Sequence, residues 1–340
     1  MQDNAVRLSF YGVGVHVTSS RPELLEAITH DFSYFLAPGL SSCALNLQLF
    51  REKFDYASLP RMHSSFVTPR NITFAFGTKK YIDYFGHAMN IFDYKNATCL
   101  IYAEDPDIVR EIAYLSILSN VSALLEKKGL HRIHALGIAY KNAGILLMMP
   151  SGGGKSTISL TILNDPSSEI KLISEDSPLM QKNGFLLPFP LRIGIDPRTP
   201  IPEVNQEFIR YTKRMGFPAK LTIDIRQFSS RICTHEVKPR VILLGIRSTG
   251  NDAAIIATNR LASVKHCLMN SVIGVGLYQG MEFIMQEGLF SLLKKSGTII
   301  SRMESNACLI ARSKFYYFIA GPDAAHNHRI LQSFLQEHCT

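Results

Sequence analysis

The stretch that joins an apolar run to three glycines constrains the fold of this chain more than any other. The apolar run begins at Ile145 and ends at Met149, and Gly152–Gly154 follow two residues later. Apolar residues at Ile158 and Ile162 then predict a helix. Strand, glycine loop and helix in this order are typical of a phosphate-binding loop, because the loop's N–H groups and the positive end of the helix face the same anion.

Each residue type in this loop has a physical role. Glycines allow the backbone to curl around an anion. Lys155 would reach the terminal phosphates of a nucleotide, and the hydroxyl of Ser156 would hold Mg²⁺. The predicted nucleotide-binding residues are Ser151, Gly152, Gly153, Gly154, Lys155, Ser156 and Thr157.

The loop departs from the usual pattern, G-x-x-x-x-G-K-[ST], at one position. The first glycine of that pattern falls on Met149, whereas the remainder from Ser151 to Thr157 is intact. The alternative interpretation is a glycine-rich turn between strand and helix, in which Lys155 is only an exposed charge. That alternative accounts for the glycines but gives no reason for the Lys-Ser-Thr that follows them.

The composition describes a globular protein that suits an acidic partner. A length of 340 residues suggests about two domains at roughly 150 residues each. Hydrophobic residues make up 46% of the chain and charged residues 19%, which is enough apolar material for a core. The formal net charge of +8 suits ATP, a phosphoprotein or a membrane surface. Because the positive charges are dispersed, with no long basic run, we expect no nucleic-acid partner.

The cysteines and the apolar runs predict a cytoplasmic protein. Six cysteines are scattered without CxxC or CxxH pairs, which argues against a zinc site and a disulfide framework and favours a reducing compartment. The first residues lack the apolar segment of a secretion signal. No apolar run reaches the ~18 residues of a membrane-spanning helix, so we expect no membrane span.

Strand and helix signals predict two domains. Residues 1–104 combine several strands with one helix that Ser20 would cap, which predicts a smaller α+β module. Asp105 and Pro106 then begin a long helix as its cap and first residue, and the predicted boundary lies before it. Residues 105–340 are predicted to form the nucleotide-binding domain, an α/β fold with a mixed, strand-rich sheet.

Other segments carry weaker signals. The proline-rich stretch from Asp196 to Pro218 is predicted to be a loop that closes over a substrate. The predicted strands include 81–92 and 308–312, and the predicted helices include 205–213, 261–269 and 281–293.

Two carboxylates and a histidine are expected near the glycines. Residues 130–149 predict a hairpin whose second strand enters the loop, and His134 lies in its first half. A short apolar strand ends in Glu175 and Asp176. Because Mg²⁺ that bridges phosphates requires hard oxygen ligands, one carboxylate would ligate the metal and the other would accept a proton from an attacking hydroxyl. Taken alone, His134 is better interpreted as a structural residue.

These features together resemble the HPr serine kinase/phosphorylase family, whose relatives share the nucleotide-binding core of phosphoenolpyruvate carboxykinases. The matching pieces are His134, the hairpin, Pro-Ser-Gly-Gly-Gly-Lys-Ser-Thr and Leu-Ile-Ser-Glu-Asp, with the family spacing from His134 to Lys155. The resemblance covers residues 110–195 well and the rest loosely. It implies a phosphoenolpyruvate carboxykinase-like P-loop core, ATP and Mg²⁺ as cofactors, and a homo-oligomer.

The resemblance also implies a role for each site residue. Lys155 binds the β- and γ-phosphates, and Ser156 and Asp176 bind Mg²⁺. Glu175 is the catalytic base, assisted by His134. The implied catalytic residues are therefore Glu175, His134 and Lys155.

The chain is interpreted as a divergent relative, because it departs from the family pattern. Met149 replaces the first loop glycine, Thr157 stands where HPr kinases carry glutamate, and Glu175 replaces an aspartate. The leading hypothesis is a kinase that transfers the γ-phosphoryl group to a serine or other hydroxyl of a protein, peptide or small-molecule acceptor. The alternative is a catalytically inactive nucleotide-binding sensor or scaffold. A carboxykinase-type enzyme would need a second metal site and arginines for a carboxylate, which the sequence does not reveal.

Three cations downstream of the acidic pair are further candidates for binding phosphate. Arg192 follows a Pro-Phe-Pro stretch, and Lys220 and Arg226 follow the proline-rich segment. The alternative for each is a solvated surface charge, which contributes little by itself.

Overall fold

The structure, a computed structural model, shows an α/β protein with strand-rich, mixed sheets, and this confirms the predicted α/β class with a mixed, strand-rich sheet. The described residues are 4–150, 152–199, 203–258, 260–268 and 296–339. Unit 1, the first of two compact units, comprises residues 1–124, 196–198 and 207–224. Unit 2 comprises residues 125–195, 199–206 and 225–340.

An eight-stranded sheet forms the body of unit 1. Its strands are β1 (Ala5–Phe10), β2 (Val13–Ser19), β3 (Leu45–Phe50), β4 (Ser64–Val67), β5 (Ile72–Phe76), β6 (Lys79–Asp83), β7 (Ala88–Asp93) and β8 (Thr98–Ala103). They lie in the order β1-β2-β3-β8-β7-β6-β5-β4, and β3 pairs in parallel with both β2 and β8. Helix α1 (Pro22–Asp31) contacts β1 and β2 and buries its apolar side against them.

The predicted single strand over 81–92 is wrong, because the chain reverses within it. Strand β6 ends at Asp83 and β7 begins at Ala88, and the two pair antiparallel. Phe85 and Gly86, in the turn between them, have φ values of +53° and +80°. The left-handed backbone of these two residues allows a tight turn. The aromatic residues on both sides of the turn make the sequence look like one continuous strand.

Helix α2 (Pro106–Lys127) continues the chain from unit 1 into unit 2, which begins at Leu125. It is long and apolar enough to cross a membrane, with a mean hydropathy of 1.4 over 18 residues, but 61% of that window is buried within the folded chain. A helix in the core of a globular protein passes the same test of length and composition. Val109, Ile117 and Val121 are fully buried along its length.

The remaining elements follow in chain order. The strands are β9 (His131–Arg132), β10 (Leu136–Tyr140), β11 (Ala143–Met148), β12 (Ile170–Ser174), β13 (Leu179–Met180), β14 (Leu186–Leu187), β15 (Ile193–Ile195), β16 (Ile209–Arg214), β17 (Phe217–Ile223), β18 (Lys238–Arg247), β19 (Ala254–Ala257) and β20 (Lys314–Ala320). The helices are α3 (Lys155–Asn164), α4 (Arg260–Cys267), α5 (Ser296–Arg312) and α6 (Ala324–His338).

A six-stranded mixed sheet in unit 2 carries the glycine stretch. Its order is β12-β10-β11-β18-β20-β19. Strand β10 is antiparallel to β11 and β12, whereas β18 is parallel to β11 and β20. The predicted hairpin ahead of the glycines is therefore confirmed. Since β11, β12 and β18 run in the same direction, their carboxyl ends meet at one edge of the sheet.

Residues 207–224 belong to unit 1, although the prediction placed them in the second domain. The predicted helix over 205–213 is wrong, because β16 and β17 pair there as an antiparallel hairpin after one helical turn at Gln206–Phe208. Arg110 holds this hairpin through Nη1, which donates to Thr212 Oγ1 at 2.9 Å. Its Nε and Nη2 atoms also donate to both carboxylate oxygens of Asp31, at 3.2 and 2.6 Å.

The end of the chain is partly as predicted. The predicted helix at 261–269 is confirmed by α4. The predicted strand at 308–312 is wrong, because these residues complete α5, whose buried positions Arg302, Ser305 and Leu309 recur with helical spacing. The predicted helix at 281–293 lies outside the described residues.

Candidate functional site

The glycine loop, residues 150–154, connects β11 to α3 through a tight turn. Gly153 N donates to Pro150 O at 3.0 Å, and a Cβ on Gly153 would stand 2.9 Å from the same oxygen. Gly154 has a φ of +106°, which side chains with a Cβ rarely adopt. The turn therefore requires glycine at both positions.

The loop opens toward the start of α3. A Cβ on Gly152 would meet nothing within 4 Å, so there is free space beside this residue. Lys155, Ser156 and Thr157 form the first helical turn, and its N-cap residue, Gly154, has no side chain that could cap it. The first N–H groups of a helix have no acceptor within the helix. Ser151, a predicted nucleotide-binding residue, lies outside the described residues.

Met149 occupies the position of the missing glycine and is buried, with 2% of its surface exposed. Its side chain lies against Gly245 of β18, where an ideal Cβ would stand 2.0 Å from Met149 Cγ. The usual phosphate-loop pattern has a glycine at the position of Met149 and therefore needs no space for a side chain there. In this chain Gly245, on the neighbouring parallel strand, leaves the space that the Met149 side chain fills. The departure at Met149 is accommodated in packing while the turn at Gly153 and Gly154 is kept.

Lys155 folds back over the loop and is buried, with 6% of its surface exposed. Its Nζ atom donates to Met149 O at 2.8 Å, to Pro150 O at 3.5 Å and to His134 Nε2 at 3.2 Å. An ammonium group has three donors and no acceptor, so these contacts use all of its hydrogens. The alternative interpretation of Lys155 as an exposed charge is wrong.

His134 bridges Lys155 and Asp176. Since the ammonium group can only donate, His134 Nε2 accepts and the ring proton lies on Nδ1. His134 Nδ1 stands 3.3 Å from Asp176 Oδ1, without the alignment of a hydrogen bond, and Lys155 Nζ stands 3.7 Å from the same oxygen. Burial raises the pKa of Asp176, but His134 and the charges of Lys155 and Arg132 outweigh it and lower that pKa.

Ser156 and Glu175 form a second pair beside the first. Ser156 Oγ donates to Glu175 Oε1 at 2.5 Å, which is a short hydrogen bond to a carboxylate. Ser156 lies in the first turn of α3, and Glu175 follows the last residue of β12. The parallel direction of β11 and β12 places the two at the same edge, although β10 lies between these strands.

The contacts in the structure differ from the pairing that the family resemblance implied. The resemblance grouped Ser156 with Asp176 at the metal and His134 with Glu175 at the base. In the structure the Ser156 hydroxyl contacts Glu175, and His134 contacts Asp176. The extra methylene of Glu175 gives its carboxylate the reach to the helix, and the shorter Asp176 stays beside the histidine.

Arg247, at the end of β18, also contacts the glycine loop. Its Nη1 atom donates to Gly152 O at 3.3 Å, and its side chain is exposed. Sequence reasoning missed this residue because no motif marks it. The available signal was the strand that the sequence predicts from Arg240 to Arg247, although the neighbours of that strand in the sheet are not visible in one sequence.

The three predicted cations lie at different places in the fold. Arg192 lies between β14 and β15, and Arg226 is exposed in the helical turn Ile225–Arg231. Lys220 belongs to β17 of unit 1, where it pairs with Thr212 across the hairpin. Their predicted phosphate contacts stay predictions.

The donor set fits the phosphates of a nucleotide together with a magnesium ion. Ser156 and Glu175 offer neighbouring hydroxyl and carboxylate oxygens, which are the hard ligands that Mg²⁺ prefers. Within the described ranges, no group of three or more His, Cys, Asp or Glu side chains is placed to hold a metal ion by itself. That is compatible with Mg²⁺ bound to a nucleotide, because phosphate oxygens and water then supply most of its ligands.

The geometry leaves one site built from the glycine loop, two carboxylates and a histidine, all in unit 2. Compared with known proteins, the chain matches no protein-family model and no curated protein.

Proposed function

We propose that unit 2 binds ATP and Mg²⁺ and transfers the γ-phosphoryl group to a hydroxyl of a protein, peptide or small-molecule acceptor. The observation that carries the proposal is the convergence of a glycine-loop lysine, Lys155, with His134 and Asp176. A structural glycine turn gives no reason to bury an ammonium group between a histidine and a carboxylate. The family resemblance supports the same activity and a phosphoenolpyruvate carboxykinase-like core.

Binding rests on the loop and the first turn of α3. The N–H groups of Lys155, Ser156 and Thr157 begin the helix, and the helix dipole adds a partial positive charge there. Lys155 would exchange at least one of its carbonyl acceptors for a phosphate oxygen. Since phosphate carries a full charge and a carbonyl only a dipole, this exchange is favourable.

The two carboxylates take different roles in the proposed site. Glu175 and Ser156 would hold Mg²⁺, which when bound neutralises the charge of the phosphates. Asp176 would accept the proton of the acceptor hydroxyl, and His134 would orient that carboxylate through Nδ1. This assignment follows the observed contacts and replaces the pairing implied by the resemblance.

The reaction in this site is a single displacement. The acceptor hydroxyl gives its proton to Asp176, and its oxygen bonds to the γ-phosphorus. The bond from that phosphorus to the bridging oxygen breaks, and ADP leaves with the electron pair. Lys155 stabilises the negative charge on the phosphates, since positioning and charge neutralisation supply most of the rate in phosphoryl transfer.

The test is ATP binding and ATP turnover by the full chain with Lys155→Ala and Glu175→Gln variants. We expect Lys155→Ala to lower the maximal turnover by about 100-fold or more, because it removes a charge from the site of phosphoryl transfer. Glu175→Gln should lower turnover when Mg²⁺ is limiting, because it weakens a ligand of the metal. Lys171→Ala and Glu169→Gln are matched controls, since both residues are exposed and lie near the start of β12, away from the acidic pair. Both controls should keep normal turnover.

The outcomes separate the two candidate functions. Turnover that is unchanged in both Lys155→Ala and Glu175→Gln would overturn the proposed mechanism. Wild-type protein that binds ATP but neither hydrolyses it nor transfers phosphate would identify the inactive sensor or scaffold instead. A wild-type chain that binds no nucleotide in the presence of Mg²⁺ would reject both.

A further inference from the structure

Two residues at the end of β18, Gly245 and Arg247, lie on the same face of the sheet and contact the region of the glycine loop. Side chains two positions apart in a strand point to the same side. The Cα–Cβ direction of Gly245 points at Met149, the residue before the loop, so Arg247 leaves the strand on the loop side as well. Strand β18 is the parallel neighbour of β11, with Leu244 opposite Met148. Strand β11, which leads into the glycine loop, therefore has the cationic side chain of Arg247 beside its carboxyl end.

The Arg247 side chain is bound at one point and otherwise exposed. Nη1 donates to Gly152 O at 3.3 Å. A guanidinium group has five N–H donors in a planar fork, and within the described part of the chain this is the one acceptor that contacts it. Gly152 has open space where a side chain would stand. The remaining donors therefore lie in solvent at the mouth of the loop.

We propose that Arg247 is a nucleotide-binding residue that contacts the phosphate chain held by the glycine loop. This inference rests on the proposed function and adds a second cation, from another strand, to Lys155. The two cations differ in their setting. Lys155 is buried and satisfied by carbonyl oxygens and His134, whereas Arg247 is exposed and, among the described residues, donates only to the oxygen of Gly152.

Chemistry favours a phosphate as the partner of this arginine. A guanidinium group binds phosphate oxygens through two parallel N–H donors, which a carbonyl oxygen cannot match. The backbone carbonyl of Gly152 orients the Arg247 guanidinium group without neutralising its charge. Arg247 is thus suited to recognise the number of phosphates on the nucleotide, and adenosine itself would not contact it.

The experiment measures the affinity of the full chain for ATP, ADP and adenosine by calorimetry, in the presence of Mg²⁺. We expect Arg247→Ala to weaken ATP binding about tenfold or more, since charged hydrogen bonds to phosphate contribute at this scale. Adenosine binding should not change. Arg240→Ala is the matched control, because Arg240 is exposed on the same strand but lies at the opposite edge of the sheet.

Two substitutions separate phosphate binding from mere support of the loop. Arg247→Gln keeps a polar N–H donor on a shorter side chain but removes the charge, so it should be as weak as Arg247→Ala. Arg247→Lys keeps the charge and should recover part of the affinity. Normal ATP affinity in Arg247→Ala or Arg247→Gln would overturn the inference, and so would an equal loss in Arg240→Ala.

A Lys155→Ala variant in the same titration distinguishes this inference from the proposed function. If Lys155→Ala loses ATP affinity while Arg247→Ala keeps it, only the inference on Arg247 fails. If Lys155→Ala binds ATP normally, the proposed function fails, whatever Arg247 does.

Discussion

Met149 packs against the backbone of Gly245, so closely that an ideal Cβ on the glycine would stand 2.0 Å from Met149 Cγ. The pair connects the end of β11 with the neighbouring parallel strand β18, just before the glycine loop begins. Met149 stands at a position where the usual phosphate-loop pattern has glycine, and the residue that faces it on the neighbouring strand, Gly245, has no side chain.

The first prediction follows from this contact. Gly245→Ala should lower the free energy of unfolding by about 1–3 kcal/mol, because the added methyl group forces Met149 or β18 to move. Urea unfolding followed by circular dichroism measures the effect. In a Met149→Ala background Gly245→Ala should cost less than it does in the wild type, since the smaller side chain at 149 frees the space for the methyl group.

Gly297→Ala is the control for Gly245→Ala. Gly297 lies in α5, and an added Cβ there meets nothing within 4 Å, so the substitution should not destabilise the protein. Equal stabilities of Gly245→Ala and wild type would show that the Met149 contact does not constrain the strand.

The second prediction concerns the two carboxylates of the proposed site. Glu175→Gln should raise the Mg²⁺ concentration needed for half-maximal turnover about tenfold, because a ligand of the metal is weakened. Asp176→Asn should instead lower the maximal turnover by roughly 100-fold at saturating Mg²⁺, since it removes the proton acceptor. Turnover measured over a Mg²⁺ titration separates the two effects. The reverse result would restore the pairing implied by the family resemblance.

The third prediction concerns the buried ion pair of unit 1. Asp31 is fully buried and Arg110 is 3% exposed, and their two hydrogen bonds satisfy each other's charge. Asp31→Ala should therefore lower the free energy of unfolding by about 3–5 kcal/mol, because an unpaired arginine stays buried. The measurement is again urea unfolding.

An exposed pair in the same unit gives the comparison for Asp31. Arg51 and Glu23 form an ion pair at 3.3 Å, with side chains that are 44% and 47% exposed. Glu23→Ala should cost less than about 1 kcal/mol, because solvent screens the pair. A similar loss in Asp31→Ala and Glu23→Ala would contradict the prediction.

The fourth prediction is a pH dependence of stability in unit 2. Hydrogen bonds from Ser167 and His328 lower the pKa of Asp165 from its ordinary value of 3.8 to about 2. Because the pKa is lowered in the folded state, the contribution of the carboxylate is complete above pH 4 and is lost as the pH falls toward 2. After a discount for solvent screening, this contribution is about 1 kcal/mol.

Unfolding of wild type and Asp165→Asn at pH 7 and pH 2.5 measures this dependence. The stability difference between the two proteins should be larger at pH 7 and should shrink at pH 2.5. Asp252→Asn is the control, because Asp252 is exposed. A difference for Asp165→Asn that stays constant over this range would contradict the assignment.

Local sequence signals determined the elements that surround the loop. The apolar run up to Met149, the glycines and the following helical pattern each concern residues that are neighbours in the chain, and β11, the turn and α3 form as predicted. The hairpin before the loop and the acidic pair after β12 were also visible, because a short strand and its end are local features. The activity inferred from them stays a proposal.

Long-range pairing decided the rest. Residues 207–224 belong to unit 1, and Arg110 contacts Thr212 of their hairpin from 102 positions away in the sequence, a separation that no local pattern records. The partners of Glu175 and Asp176 depend on the side-chain lengths and on the direction of β10, β11 and β12. The sequence alone identified the glycine loop, one histidine and two carboxylates as candidates for one site. The tertiary structure decided which carboxylate contacts which group, and it brought Arg247 and Gly245 to the loop, because parallel strands join residues that lie far apart in sequence.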